Sequence, residues 1–429
     1  MMNPSSDGWI KKFFSILADY SESLNKYPGS MSAEELIYGY LQPTGMMYGF
    51  PTSNLFLGDD IVSGWTGQEK FKVLLLEGLI LVDHVDKGKF DVEALEDSLE
   101  HFVAFYETTE IEHAKKNWLN FKDLDVYQKL ESIIGQRVDI KMSFTTKLWT
   151  SYLHNSLIFQ DLILYHEYIN SDNRDLISRK RTKVMLDMMK VVSVAAHADG
   201  EIAEEEEAIF DVFMASSKLE GPYRELAKNF WDQNQPLSEI DFDYEMSWLL
   251  KRYVMEIATL TIASDRIVTV EEEDFILELG KRLTAEEEEQ DKSFIAIQAF
   301  ISKNADVVPF LNGKNEAEQF MNGATERWKK ILGRNKDKLG AELKQSKDLV
   351  ALITKSTTTD LTAEEKKRVK AQFKDLGKSI PALTLFMLPG GSLVMPLVLR
   401  LIPDLVPSAF RSNQVDEEES DESSPEIKS

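Results

Sequence analysis

The chain has 429 residues, of which 43% are hydrophobic and 28% charged, which is typical of a globular protein long enough for several domains. Its 73 acidic and 49 basic residues give a net charge of −24, which argues against a surface that coats DNA. The absence of cysteine excludes disulfide bonds, thiolate metal sites and a cysteine nucleophile.

The first 24 residues carry lysines at positions 11 and 12 within their apolar run, so they lack the uninterrupted apolar core of a secretory signal. We expect an amphipathic helix here, in a protein that is not exported.

Helix-start patterns recur along the chain. A Ser or Thr that can cap a helix is followed three residues later by a Glu that can reach back to it. Apolar runs of helical length lie between these starts, and no comparable series of alternating strands occurs. The sequence therefore predicts an all-α multi-helix bundle. The predicted capping pairs are Ser32 with Glu35, Thr66 with Glu69, Thr269 with Glu272, Thr284 with Glu287, and Thr362 with Glu365.

Breaks rich in Gly, Pro, Ser and Asn divide the sequence. They predict an N-terminal helical region at 1–172, a central helical domain at 173–305, a C-terminal module at 306–411 and a disordered acidic tail at 412–429.

The central region contains a repeat with a spacing of 66 residues. Asp199 and Glu206 in the first copy correspond to Asp265 and Glu272 in the second, and in each copy an apolar helix ends at the Asp before a Glu-rich helix begins. This pattern resembles the TerB-like helical domain of tellurite-resistance proteins. These four carboxylates could form a divalent-metal site. We favour instead solvated first-turn acids, which the helix dipole stabilises, and therefore expect no metal.

An uncharged stretch runs from Ile380 to Leu399 within an apolar segment at 380–402, long enough to be a candidate membrane span. Pro and Gly interrupt it near its middle, so it could be a broken span, a re-entrant hairpin or two short helices buried in protein. The residues that define the predicted membrane segment are Ile380, Pro381, Pro389, Gly390, Gly391, Ser392, Pro396, Pro403 and Pro407.

The residues that precede this apolar segment are rich in Lys and Arg. Residues 327–378 carry 15 Lys and Arg against 7 acids, a local charge of +8. A basic stretch beside an apolar one favours contact with an anionic membrane surface over the alternative of a solvated basic helix face. Because residues 416–422 beyond it are strongly acidic, the positive-inside rule would keep the large N-terminal part in the cytoplasm.

The same region resembles the leucine-zipper and EF-hand-containing transmembrane proteins, or LETM-type proteins. The resemblance rests on Leu361-Thr362, the Pro spacing from 381 to 403, and the closing Leu405-Val406-Pro407-Ser408-Ala409-Phe410. It implies a membrane segment, cation/proton exchange and ribosome binding. Ser392, however, stands where that family commonly has a membrane acid, and a serine cannot carry a proton in exchange. The combination of a TerB-like central domain with this C-terminal module is similar to a bacterial LETM-related, biofilm-associated group.

No phosphate-binding Gly loop, dinucleotide fingerprint, nucleophile elbow or His-Glu-x-x-His motif is present, so we expect neither an enzyme nor a cofactor. Three functions remain open. The first is a scaffold on the cytoplasmic face of the bacterial inner membrane. Such a scaffold would bind anionic lipid and could also bind a protein partner or the ribosome. The second is a subunit related to monovalent cation or proton transport and ion homeostasis, and the third is a soluble cytoplasmic interaction protein.

Overall fold

The computed structural model describes residues 2–17, 32–85, 97–109, 124–139, 153–264, 269–285, 287–303, 325–377, 380, 383 and 395–410. These residues form helices and connecting turns without any strand, which confirms the all-α prediction. Their contacts divide them into two compact units, one ending at Lys303 and the other beginning at Thr325. The predicted boundary between an N-terminal region and a central domain falls within the first unit and stays a prediction.

The first unit contains thirteen labelled helices among its described residues. They are α1 (Trp9–Leu17), α2 (Ala33–Leu41), α3 (Asp59–Val62), α4 (Gly67–Val85), α5 (Ser98–Thr109), α6 (Val126–Val138), α7 (Phe159–Ile169), α8 (Asp175–Ala196), α9 (Glu204–Ser216), α10 (Gly221–Asp232), α11 (Trp248–Ile262), α12 (Val270–Arg282) and α13 (Glu287–Lys303).

Helix α4 lies at the centre of the N-terminal half of this unit. Every residue from Val73 to Val85 is buried, because apolar side chains occur all around the helix rather than along one stripe, and Glu77, Asp83 and His84 are buried among them. Helices α2, α6 and α7 pack around it. Helix α1 is amphipathic as predicted, and it buries Trp9, Phe13 and Leu17 while Lys11 and Lys12 remain exposed.

The 66-residue spacing recurs in the helix boundaries. Helices α8 and α11 end 66 residues apart, α9 and α12 begin and end with the same offset, and α10 and α13 begin with it. In each copy the first helix packs against the other two, and α8 also packs against α11. The central region is therefore two consecutive three-helix motifs, in each of which the first helix packs against the other two.

Four of the five predicted capping pairs are confirmed. The carboxylates of Glu35, Glu69, Glu272 and Glu365 each accept a hydrogen bond from the backbone N–H of their capping Ser or Thr. The fifth pair, Thr284 with Glu287, lies partly outside the described residues, because the structure does not describe the side chain of Glu287. Thr284 has a φ of 54° and follows the end of α12, where its hydroxyl donates to the Leu283 carbonyl at 2.6 Å.

The second unit begins with a helix at 325–334 that buries Trp328, and its remaining helices pack around α15. Helices α15 and α16 form an antiparallel hairpin, because Lys355 near the end of α15 pairs with Glu365 near the start of α16. The labelled helices are α14 (Lys336–Gln345), α15 (Lys347–Ser356), α16 (Ala363–Leu376) and α17 (Met395–Leu405).

Candidate anion-binding surface

The acidic positions of the repeat lie at helix starts. Glu206 and Glu272 are each the third residue of their helix, α9 and α12, and both are buried. The Glu206 carboxylate accepts the N–H of Ala203 at 2.9 Å, and the Glu272 carboxylate accepts the N–H of Thr269 at 2.7 Å. Asp199 is exposed and accepts the N–H of Glu201 at 3.0 Å.

These three carboxylates therefore stabilise the backbone at the entrance to a helix. Asp265 lies outside the described residues. Within the part of the chain that the structure describes, no group of three or more His, Asp or Glu side chains is placed to hold a metal ion.

The apolar segment is described only at its two ends. Ile380 is buried just beyond α16, and its N–H donates to the Leu376 carbonyl at 2.8 Å. Pro396, Pro403 and Pro407 lie in or directly after α17. The remaining predicted membrane-segment residues lie outside the described residues, namely Pro381, Pro389, Gly390, Gly391 and Ser392.

Helix α17 is amphipathic and packs against α15 in the second unit. It buries Met395, Val398, Leu399, Leu401 and Ile402. Pro396 and Arg400 are exposed on its other side. The described helices include none that is both long and apolar enough to cross a membrane.

Exposed lysines lie on three neighbouring helices of the second unit, α14, α15 and α16. The hydroxyl of Ser346, between α14 and α15, donates to the Gln372 side chain of α16 at 2.5 Å. This contact places the end of α14 and the start of α15 beside the second half of α16. Of the nine lysines of these three helices, we call five the basic surface: Lys344, Lys347, Lys366, Lys367 and Lys370.

Helices α15 and α16 carry four acids, of which Glu364 and Asp375 are exposed, while Asp348 and Glu365 are bound by basic side chains. Asp348 accepts from the guanidinium of Arg368 and from the Gln372 amide at 2.8 Å. The ammonium of Lys355, 2.7 Å away, and the backbone N–H of Thr362 lower the pKa of Glu365 to about 2. These two carboxylates are therefore already bound and charge-compensated.

The lysines of the basic surface, by contrast, pair with no acid among the described residues of the second unit. Lys344, Lys347, Lys366 and Lys367 are exposed, and Lys370 is half-buried, so that burial lowers its pKa. Positive charge that the protein does not compensate itself can attract an anionic surface at long range and bind it through many weak contacts.

The first unit contains two buried ionic networks that sequence reasoning missed. Glu256 is fully buried and accepts hydrogen bonds from Tyr38, Tyr48 and Arg252 at 2.5, 2.6 and 3.1 Å. Because burial penalises the charged form, the pKa of Glu256 lies above its ordinary value. The spacing of Arg252 and Glu256, four residues apart on α11, is the one signal that could have revealed this network.

The second network surrounds Asp161 on α7. Arg137 donates two hydrogen bonds of 2.7 Å to this carboxylate, and Arg181 and Tyr106 donate at 2.5 and 3.0 Å. Burial alone would raise the pKa of Asp161, but the two guanidinium groups hold it below its ordinary value. Every partner in these networks comes from the protein itself, so both networks join helices rather than forming an open site.

The described residues thus form an all-helical protein of two compact units, and within them the five lysines of the basic surface have no acidic partner. Residues 361–428 match the family model described as LETM1-like, RBD. The match begins one residue before the Thr362 cap and includes α16 and α17, so this C-terminal segment is LETM-type. No curated protein and no solved structure matches the chain.

Proposed function

We propose that this protein is a non-enzymatic scaffold that docks on the anionic face of a membrane through the basic surface of its second unit. The observation that carries the proposal is the contrast within the α15–α16 hairpin. Two of its acids, Asp348 and Glu365, are bound by Arg368 and Lys355, whereas Lys366 and Lys367 are exposed and have no acidic partner among the residues that the structure describes.

The energetics of such docking follow from charge. A basic residue close to an anionic leaflet contributes roughly 1 kcal/mol, so five lysines acting together are sufficient for reversible attachment. The attraction decays within a Debye length, about 8 Å at physiological ionic strength, so added salt weakens it. Because α17 buries its apolar residues against α15, the described part of the apolar segment serves as core and leaves attachment to the lysines.

The cellular location, the type of central domain and the protein group belong to the same proposal. The cytoplasmic face of the bacterial inner membrane is the surface that the basic approach to the apolar segment favours. The paired three-helix motifs support a TerB-like domain that senses or scaffolds, and their combination with a LETM-type ending supports membership of the biofilm-associated group.

A second candidate is a soluble interaction protein whose basic surface binds a polyanionic partner such as the ribosome. The burial of α17 in the second unit favours it, since a helix packed in protein needs no lipid. The transport alternative depends on residues 381–394, most of which lie outside the described residues.

Vesicle co-sedimentation of the full chain tests the proposal. We expect binding to phosphatidylglycerol-containing vesicles, no binding to pure phosphatidylcholine, and a loss of about tenfold or more in affinity for the double variant Lys366→Glu/Lys367→Glu. The matched control is Lys12→Glu/Lys228→Glu, which makes the same charge change at exposed lysines of the first unit. Equal losses in the two variants, or no binding to anionic vesicles, would contradict the proposal, and binding to purified ribosomes in its place would favour the second candidate.

A further inference from the structure

The chain carries its own candidate ligand for the basic surface. Between Asp416 and Glu426 the sequence contains seven acidic residues and no basic one. We call this segment the acidic tail.

The last described residues before the tail pack on α14, the helix that carries Lys344. Val406, which precedes the last described turn, packs so tightly against α14 that a Cβ at Gly340 would lie 3.1 Å from its Cγ1 atom. Lys344 lies four residues further along α14, a rise of about 6 Å. The six residues from 411 to 416 can span up to about 20 Å, so the first acids of the tail can reach Lys344 and Lys347.

The charges of the two partners are complementary. The basic surface presents five lysines that have no acidic partner among the described residues, and the tail supplies seven carboxylates. A single exposed ion pair contributes little, but several pairs within one molecule benefit from a high effective concentration. Two of the four acids on α15 and α16, Asp348 and Glu365, are already bound by Arg368 and Lys355, which leaves Glu364 and Asp375 as the exposed acids of these helices.

We propose that the acidic tail binds the basic surface within the same molecule and competes there with the external anionic surface. The contact between the tail and the basic surface is inferred from their opposite charges and from the length of chain that joins them. The competition with an external anionic surface rests in addition on the proposed function. The tail then sets the lowest fraction of anionic lipid at which the protein binds a membrane, because the lipid must displace the tail from the lysines.

Carbodiimide cross-linking of the full chain without lipid, followed by mass spectrometry, tests the contact. We expect bonds between tail carboxylates and Lys344, Lys347, Lys366 or Lys367, and their loss in high salt. An absence of such bonds at low salt would overturn the contact, even if vesicle binding changed through long-range repulsion.

Vesicle binding tests the competition. The variant Glu417→Gln/Glu418→Gln/Glu419→Gln/Asp421→Asn is expected to bind anionic vesicles about threefold or more tightly than the wild-type chain at low salt, because fewer pairs must be displaced. The control Glu204→Gln/Glu207→Gln/Glu271→Gln/Asp274→Asn removes the same charge from exposed acids of the first unit and is expected to change binding less.

Equal gains in the two variants would overturn the competition. Cross-links without any vesicle binding would contradict the proposed function and leave the tail contact in place, so the two failures are distinguishable.

Discussion

Two carboxylates in the core of the first unit show how neighbours decide the charge of a buried acid. Asp161 has two guanidinium groups against it and keeps a low pKa in spite of burial. Glu77 on α4 is equally buried but receives only neutral donors, from the backbone of Leu55 at 2.8 Å and of Phe56 at 3.1 Å and from the Asn54 amide at 3.1 Å. Burial therefore dominates and raises the pKa of Glu77 from 4.5 to about 7.

This difference predicts a pH-dependent stability. Because the folded state binds the Glu77 proton more tightly than the unfolded state, the stabilisation is complete below pH 4.5 and is lost as the pH rises through about 7. The loss for this one group is roughly 3 kcal/mol. We expect Glu77→Gln to remove this part of the pH dependence of the free energy of unfolding, measured by chemical denaturation between pH 4 and about 8.

The control is Glu100→Gln, at an exposed position of the neighbouring helix α5. If the Glu77→Gln and wild-type curves run parallel over the whole range, Glu77 does not titrate as the structure indicates.

At the level of helices, the apolar residues of α17 belong to the core of the second unit. Ile402 is fully buried where this helix packs on α15, while Arg400 on the same helix is exposed. Ile402→Ala removes three buried carbons, a change that typically costs about 2–5 kcal/mol. We therefore expect faster amide hydrogen exchange in α15 and α17 of the full chain in lipid-free buffer.

Arg400→Ala serves as the control and is expected to leave exchange close to that of the wild-type chain. Unchanged exchange for Ile402→Ala without lipid would show that α17 is not part of the core in solution.

Local rules predicted the helices and their starts better than the long-range contacts. A Ser or Thr three residues before a Glu needs only its own backbone, so Thr269 and Thr362 were recognisable from sequence. Thr284 has the same spacing but follows the end of α12 with a left-handed backbone, because the chain turns there before α13.

Contacts between distant parts of the chain left no local signal. Tyr38 and Glu256 are separated by more than 200 residues, and the side chains of Arg137 and Asp161 come from different helices. The apolar residues of α17 fit a membrane or a protein core equally well by composition, and only the packing on α15 distinguishes the two. Of the candidate surface, the sequence predicted the excess of basic charge but not which lysines have an acidic partner.

For the whole molecule, the decisive property is the uneven distribution of charge. The chain carries −24 in total, but residues 327–378 carry +8, so an anionic surface repels most of the protein and attracts one face of its second unit. In the proposed docking, the basic surface would therefore be the part of the second unit that meets the lipid. Such an attachment would be reversible, because it would depend on charge that salt can screen.

Fractionation of cells that express the full chain, with successive high-salt and alkaline carbonate washes of the membranes, tests this account most directly. The account predicts that the protein sediments with membranes at low salt and is released by the salt wash. Retention through both washes would mean insertion in the bilayer, and a protein found entirely in the soluble fraction at low salt would mean that the basic surface serves another partner. Either result would contradict reversible electrostatic docking.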